Sequence, residues 1–204
     1  MATNPSSMLG QRVKALRLAQ KWRIADVAER AGLSISTISK VENGQMSMTY
    51  DKLIQLAKGL GVELSVLFSH DDSRKPAKGP DEPRVTGRRA VSGVGGGTYV
   101  KADWYEYWYL CPDFSHKDMI PIYGRTTARS LEEFGELIRH PGQEFLYILE
   151  GEMDVHTEFY APTRLKQGES LYFDSSMGHA YVTASEEPCR FLTVCSTDRL
   201  AMEG

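Results

Sequence analysis

Apolar residues recur at helical spacing through the first 68 positions and at alternating spacing after about residue 97, so the chain changes texture part-way along. Leu9, Val13, Leu16 and Ala19 share one face of the segment Leu9 to Lys21, with Arg12, Lys14, Arg17 and Lys21 on the other faces, which predicts an amphipathic first helix. Ile24, Val27, Ala28 and Ala31 repeat the period, and Gly32 follows where a left-handed residue ends a helix. A third helix is predicted from Ile35 to Asn43: Ser34 can cap it, Ile38 and Val41 turn inward, its opposite face is short and polar, and Gly44 stops it. Thr49 opens a fourth helix with Leu53, Ile54, Leu56, Ala57 and Leu60 inward, and Val62, Leu64, Leu67 and Phe68 close the core with a fifth.

Strand-like runs then occur at 98–102, 104–111, 120–123, 145–149, 153–157, 170–173, 180–183 and 190–195, separated by Gly, Pro, Asp and Ser. Many short strands without helices between them predict an antiparallel sandwich or barrel. In the aromatic run Trp104, Tyr105, Tyr107, Trp108, Tyr109, alternation sends one set inward and the other toward a facing sheet or a partner. Residues 70–97 hold prolines, charges and the run Gly93-Val94-Gly95-Gly96-Gly97 without any period, which predicts a flexible connector. The expected organisation is therefore multidomain: an all-α unit over 1–69, a linker over 70–97 and an all-β unit over 98–204.

Charge sharpens that division. The net charge of −3 conceals a local +4 over residues 1–68 and −9 over residues 96–204, so an anionic partner suits the helical unit alone. Cys111, Cys189 and Cys195 are three, widely spaced and without a CxxC pair, which points to reduced thiols rather than a disulfide framework or a zinc knuckle. No leader pattern and no apolar stretch of membrane-spanning length is visible, so a cytoplasmic location with no membrane partner is expected.

Two helices joined by a short Gly-containing turn make a helix-turn-helix, whose second helix is free to enter a major groove. The string Ile24-Ala25-Asp26-Val27-Ala28-Glu29-Arg30-Ala31-Gly32-Leu33-Ser34-Ile35-Ser36-Thr37-Ile38-Ser39-Lys40-Val41-Glu42-Asn43-Gly44, extended from Leu9 to Phe68, resembles the XRE-type, lambda-repressor-like helix-turn-helix family. That resemblance puts Ser34, Ile35, Ser36 and Thr37, with Lys40 one turn on, at base edges and Asn43 at a phosphate, and it places an ion pair on Arg17 and Glu42. Relatives of this kind often hold a phosphate with Gln at the start of the second helix; here Ile24 stands there, leaving Arg12 or Arg23 to replace the contact.

In the second unit, His140-Pro141-Gly142-Gln143-Glu144 running on to Gly151, and Gly168-Glu169 running on to Gly178-His179, resemble the two cupin motifs and imply a jelly-roll barrel with an interior pocket. By that resemblance His140, Glu144 and His179 are candidate metal ligands, with Ile138 at the position of a fourth. Two histidines and a carboxylate suit a divalent Fe, Mn, Ni or Zn ion. The same residues could instead line a metal-free pocket for an organic effector, with Tyr107, Tyr147 and Tyr181 as its aromatic walls. His116 and His156 are assigned to the surface or to loops. Head and barrel together resemble XRE-cupin regulators, which implies a homodimer on a palindromic duplex operator and a small-molecule or metal effector, with no catalytic residue. The triad and attached head also resemble iron-dependent hydroxypropylphosphonate epoxidases, which keeps an oxygenase as the alternative.

Overall fold

The helical period is realised as α1 (Pro5–Ala19), α2 (Ile24–Ala31), α3 (Ile35–Glu42) and α4 (Tyr50–Leu60), followed by a 3-10 turn at Leu64–Leu67 where a fifth helix was expected. The computed structural model describes residues 5–46, 48–68, 87–114 and 117–196. Gly32 takes φ 65° and lets the chain turn within three residues between α2 and α3. Gly10 serves a different purpose: a Cβ there would lie 2.3 Å from the Val41 carbonyl oxygen, so its bare backbone lets α1 touch α3. Val13, Val27, Ile38, Val41, Leu53, Leu56 and Leu60 fill the space enclosed by the four helices.

Among the described residues nine antiparallel strands follow: β1 (Thr98–Lys101), β2 (Tyr105–Tyr109), β3 (Met119–Thr126), β4 (Gln143–Glu150), β5 (Glu152–Thr157), β6 (Thr163–Lys166), β7 (Ser170–Asp174), β8 (His179–Thr183) and β9 (Cys189–Ser196), with a one-turn α5 (Leu131–Phe134) before β4. They form a six-stranded sheet in the order β1-β2-β3-β9-β4-β7 and a three-stranded sheet in the order β6-β5-β8, the two-layer jelly-roll arrangement. Every second residue of β2, β3, β4 and β9 is buried, as period two requires of a sheet with one face on the core. Two elements, α5 and β6, have no counterpart in the sequence reading. Thr163-Arg164-Leu165-Lys166 buries only Leu165, too little apolar alternation to read as a strand.

The expected connector divides. Residues 70–86 lie outside the described residues, as does His116. Residues 87–97 are held on the barrel: the Arg88 guanidinium sits 4.5 Å over the Phe114 ring, and Ser92 Oγ accepts a 2.7 Å hydrogen bond from the Cys111 N–H. The helical head packs on the barrel through α1 against β1, through Phe68 stacked at 4.3 Å on Tyr109, and through Tyr50 at the start of α4.

Candidate functional site

Helix α3 begins at an exposed polar corner. The Ser34 hydroxyl caps it by accepting from the Thr37 N–H at 3.1 Å and lies within hydrogen-bond distance of the Ser36 and Thr37 hydroxyls. Ile35 is 57% exposed, and Lys40 is exposed one turn on. Asn43 is exposed at the far end, its Nδ2 donating to the Ser39 carbonyl. Hydroxyls, one apolar tip and a cation on a free helix face form a surface able to meet base edges and phosphates.

That face is anchored from beneath. Arg17 and Glu42 are buried and meet in parallel, Nε to Oε1 at 2.6 Å and Nη2 to Oε2 at 2.8 Å, tying α1 to α3, while Arg17 Nη1 donates to the Trp22 carbonyl. The hydrogen bond that Arg17 donates to Glu42 raises the Arg17 pKa against the opposing effect of burial, so the guanidinium stays charged. Arg12 makes a contact within the head as well: its Nε donates to the Val66 carbonyl at 3.1 Å and braces α1 on the 3-10 turn. Arg23 keeps an exposed side chain but pairs with Asp26 at 3.1 Å.

The second constellation lies between the two sheets. Glu144 on β4, His140 just before it and His179 at the start of β8 converge: His140 Nε2 is 3.1 Å and His179 Nε2 3.6 Å from Glu144 Oε2. Tyr181 and Thr193 donate their hydroxyls to the other carboxylate oxygen. Burial alone would raise the Glu144 pKa; the His140 hydrogen bond, the two imidazoles and the Thr193 hydroxyl overcome it and bring the carboxyl down to about 2, so it is an anion. For His179, burial dominates and lowers the pKa, favouring the neutral ring. Its Nδ1 lies 2.9 Å from the Met177 carbonyl, a partner that can only accept, which puts the ring proton there and leaves the Nε2 lone pair aimed at the cluster.

His140 and Glu144 offer ligand atoms near enough to share one divalent ion, and a cupin domain can bind a metal. A thiol joins them: Cys195 lies opposite Glu144 in the β4/β9 register, and its sulfur is within 4.8 Å of the His140 and Glu144 ligand atoms. Ile138 also lines the cavity and forms a backbone bridge with His179, so the apolar residue at the fourth-ligand position is structural. All three cysteines are free, Cys189 and Cys195 buried.

Of the three expected pocket tyrosines, Tyr107 and Tyr181 line the cavity and Tyr147 does not. Alternation along β4 turns Glu144, Leu146 and Ile148 inward, so Tyr147 points outward and is 37% exposed. His156 is half-buried on β5, away from the cluster. Thr193, Cys195 and Tyr50 are cavity residues that sequence reasoning missed. The first two alternate inward with Cys189 and Phe191 along β9, a signal that was available; Tyr50 comes from the head and left none.

A helix-turn-helix family model matches residues 13–67, and a cupin domain model matches residues 132–195. The HTH-type transcriptional regulator PuuR of Escherichia coli (strain K12) is 28% identical over 194 residues, spanning 90% of this chain and 92% of its own. Among solved structures, an HTH_3 family transcriptional regulator from Vibrio cholerae superposes with a TM-score of 0.59 at 20% identity, covering 95% of this chain and 97% of that one, and shares the fold. Hydroxypropylphosphonic acid epoxidase from S. wedmorenis reaches a TM-score of 0.47 at 22% identity over 93% of this chain and 97% of its own, too low to argue from. Among the described residues no helix is long and apolar enough to cross a membrane.

Proposed function

We infer that the chain is a DNA-binding transcriptional regulator of the helix-turn-helix and cupin type, homologous to the HTH-type regulator PuuR, and that it acts in the cytoplasm on double-stranded DNA. The observation that carries this reading is the exposed Ser34–Thr37 corner and Lys40 held on a helix that a buried ion pair fixes from behind; a helix kept only for packing has no use for a rigid, polar outer face. Its boundaries are taken at 1–69 for the head, 70–97 for the connector and 98–204 for the barrel. Ser34, Ile35, Ser36 and Thr37 are assigned to bases, Lys40 to a guanine edge or a phosphate, and Asn43 to a phosphate. Arg12, whose Nε donates to the Val66 carbonyl, stays in this set as a phosphate contact together with Arg23.

Selection of the purified full-length protein against random duplex DNA tests the reading. A palindromic site should be enriched, and Lys40→Ala should weaken it by about 10-fold through loss of one charged contact. Absence of any enriched sequence at low salt would overturn the assignment.

A homodimer follows from the operator logic, and the outer face of the large sheet supports it. Tyr99, Trp108, Tyr123, Leu192 and Tyr147 are successive register partners and form one apolar row across five strands, with Tyr99 and Trp108 rings 4.9 Å apart and Trp108 and Tyr123 rings 5.2 Å apart. Flanking it, Glu106 pairs with Arg125 and Arg190 with Glu150, each at 2.8 Å. An apolar stripe rimmed by paired charges suits a second copy of the same face.

The barrel is assigned as the sensor, with His140, Glu144 and His179 holding one divalent Fe, Mn, Ni or Zn ion and Cys195 within reach as a further ligand. Bound there, the ion would supply a Lewis-acidic contact point for an effector. Titration of metal-stripped protein with zinc or cobalt should show one site per chain, and Glu144→Gln should weaken it by about 100-fold, since the anionic ligand that the Tyr181 and Thr193 hydroxyls orient is lost. Equal affinity in parent and variant would remove the triad from the proposal.

A further inference from the structure

The barrel cavity is closed by a residue of the DNA-binding head. Tyr50, the first residue of α4, stands seven positions after Asn43 and is buried against the metal-type cluster, its ring edge-on to His140 at 4.6 Å and stacked toward Tyr109 at 6.2 Å. Its hydroxyl lies in interaction range of the Cys195 thiol. With Tyr50 in place the cavity measures about 10 Å³, which holds one ion or one water-sized species and no organic molecule. Its other described lining residues belong to the barrel, most of them on strands held in register by backbone hydrogen bonds, whereas Tyr50 is mounted on a helix of the head.

The seam around this ring is poorly satisfied. Asp51 Oδ1 on the head side and the Tyr109 hydroxyl on the barrel side are buried without a hydrogen-bond partner, and the Thr49 and Tyr105 hydroxyls meet only in loose interaction range of each other. Buried polar atoms left unpaired weaken the state that buries them, so the docked arrangement is one the molecule can leave.

We propose that Tyr50 is a plug: an organic effector enters the barrel by taking the space of its phenol ring, so that effector binding and docking of the head on the barrel exclude each other. A metal ion fits beneath the plug and leaves the head docked. Because α4 follows α3 through a loop of seven residues, expulsion of Tyr50 frees the reading helix from its fixed position on the barrel. The inference rests on the regulator reading for its consequence on DNA but not for its geometry.

The probe is para-cresol, the tyrosine side chain as a free molecule, titrated into the full-length protein, with amide hydrogen exchange read in α4 and β2. In Tyr50→Ala the vacated space should bind para-cresol about 10-fold more tightly than the parent does, because the parent binds it only in the fraction of molecules already undocked. Exchange in α4 should rise with that substitution. Tyr50→Phe keeps the ring and should behave as the parent in both measurements. Phe68→Leu weakens the neighbouring stack on Tyr109 without enlarging the barrel cavity; it should raise exchange in α4 and tighten para-cresol binding, and it carries the test if Tyr50→Ala does not fold. Equal para-cresol affinity in parent, Tyr50→Ala and Phe68→Leu, or saturation that leaves α4 exchange unchanged, overturns the plug. Operator binding is scored separately: a protein that selects no DNA yet releases α4 to para-cresol refutes the regulator and keeps the plug.

Discussion

Glu42→Ala should cost the head about 3–5 kcal/mol, the loss typical when one partner of a buried ion pair is removed. The reason is the charge that stays behind. Arg17 is buried beneath α3, and without the two carboxylate bonds its guanidinium keeps only the Trp22 carbonyl. Among the described residues no other group replaces the lost contacts, and an arginine does not neutralise itself by losing its proton at ordinary pH. A helical unit of this size has little stability in reserve, so the variant head should be largely unfolded at 37 °C while the barrel stays intact. Denaturant unfolding followed by amide exchange in α1 and α3 separates the two units. Replacing both partners with apolar residues, as in Arg17→Met with Glu42→Leu, should recover most of the loss, since the pair is a strut and the cost lies in breaking only half of it. If Glu42→Ala melts with the parent, the strut does not hold the reading helix.

What the sequence revealed and what it concealed divide by the range of the interaction. The helices of the head rest on neighbours three and four positions apart, and Arg17 and Glu42 could be paired through a resemblance that spans the whole unit. The strands rest on alternation, which carried most of the barrel. Tyr147 was misplaced for a reason within reach: once Glu144 is an inward ligand, period two turns Tyr147 out. Cys195 was a harder case. Its inward direction follows from β9 alone, but its position opposite Glu144 depends on the register between strands about 45 residues apart, which no local pattern specifies. Arg12 sat on the polar side of its helix by any helical projection; that its Nε also braces the 3-10 turn through the Val66 carbonyl follows only from how the chain folds back. Tyr50 was the least legible, because a tyrosine beginning a helix in one unit carries no mark of the cavity it closes in another.

Trp108→Glu should abolish the proposed dimer and lower operator affinity by about 100-fold or more, the avidity lost when two linked heads become independent. Trp108 occupies the middle of the aromatic row, between Tyr99 and Tyr123, and its side chain faces away from the barrel core. A carboxylate at that point would be buried against an apolar stripe in each of two subunits, and two-fold symmetry places every such charge twice in one interface. The fold itself should tolerate the change, because the residue is only half-buried in the single chain and the inward-facing Tyr105, Tyr107 and Tyr109 are untouched. Sedimentation gives the oligomeric state, thermal melting checks that the barrel survives, and titration of the selected operator gives the affinity. A half-site duplex supplies the internal control: its affinity should be nearly the same for parent and variant, since one head makes the same contacts in both. A variant that still sediments as a dimer would move the interface to another face, whereas a clean monomer that keeps full operator affinity would remove pairing from the recognition mechanism.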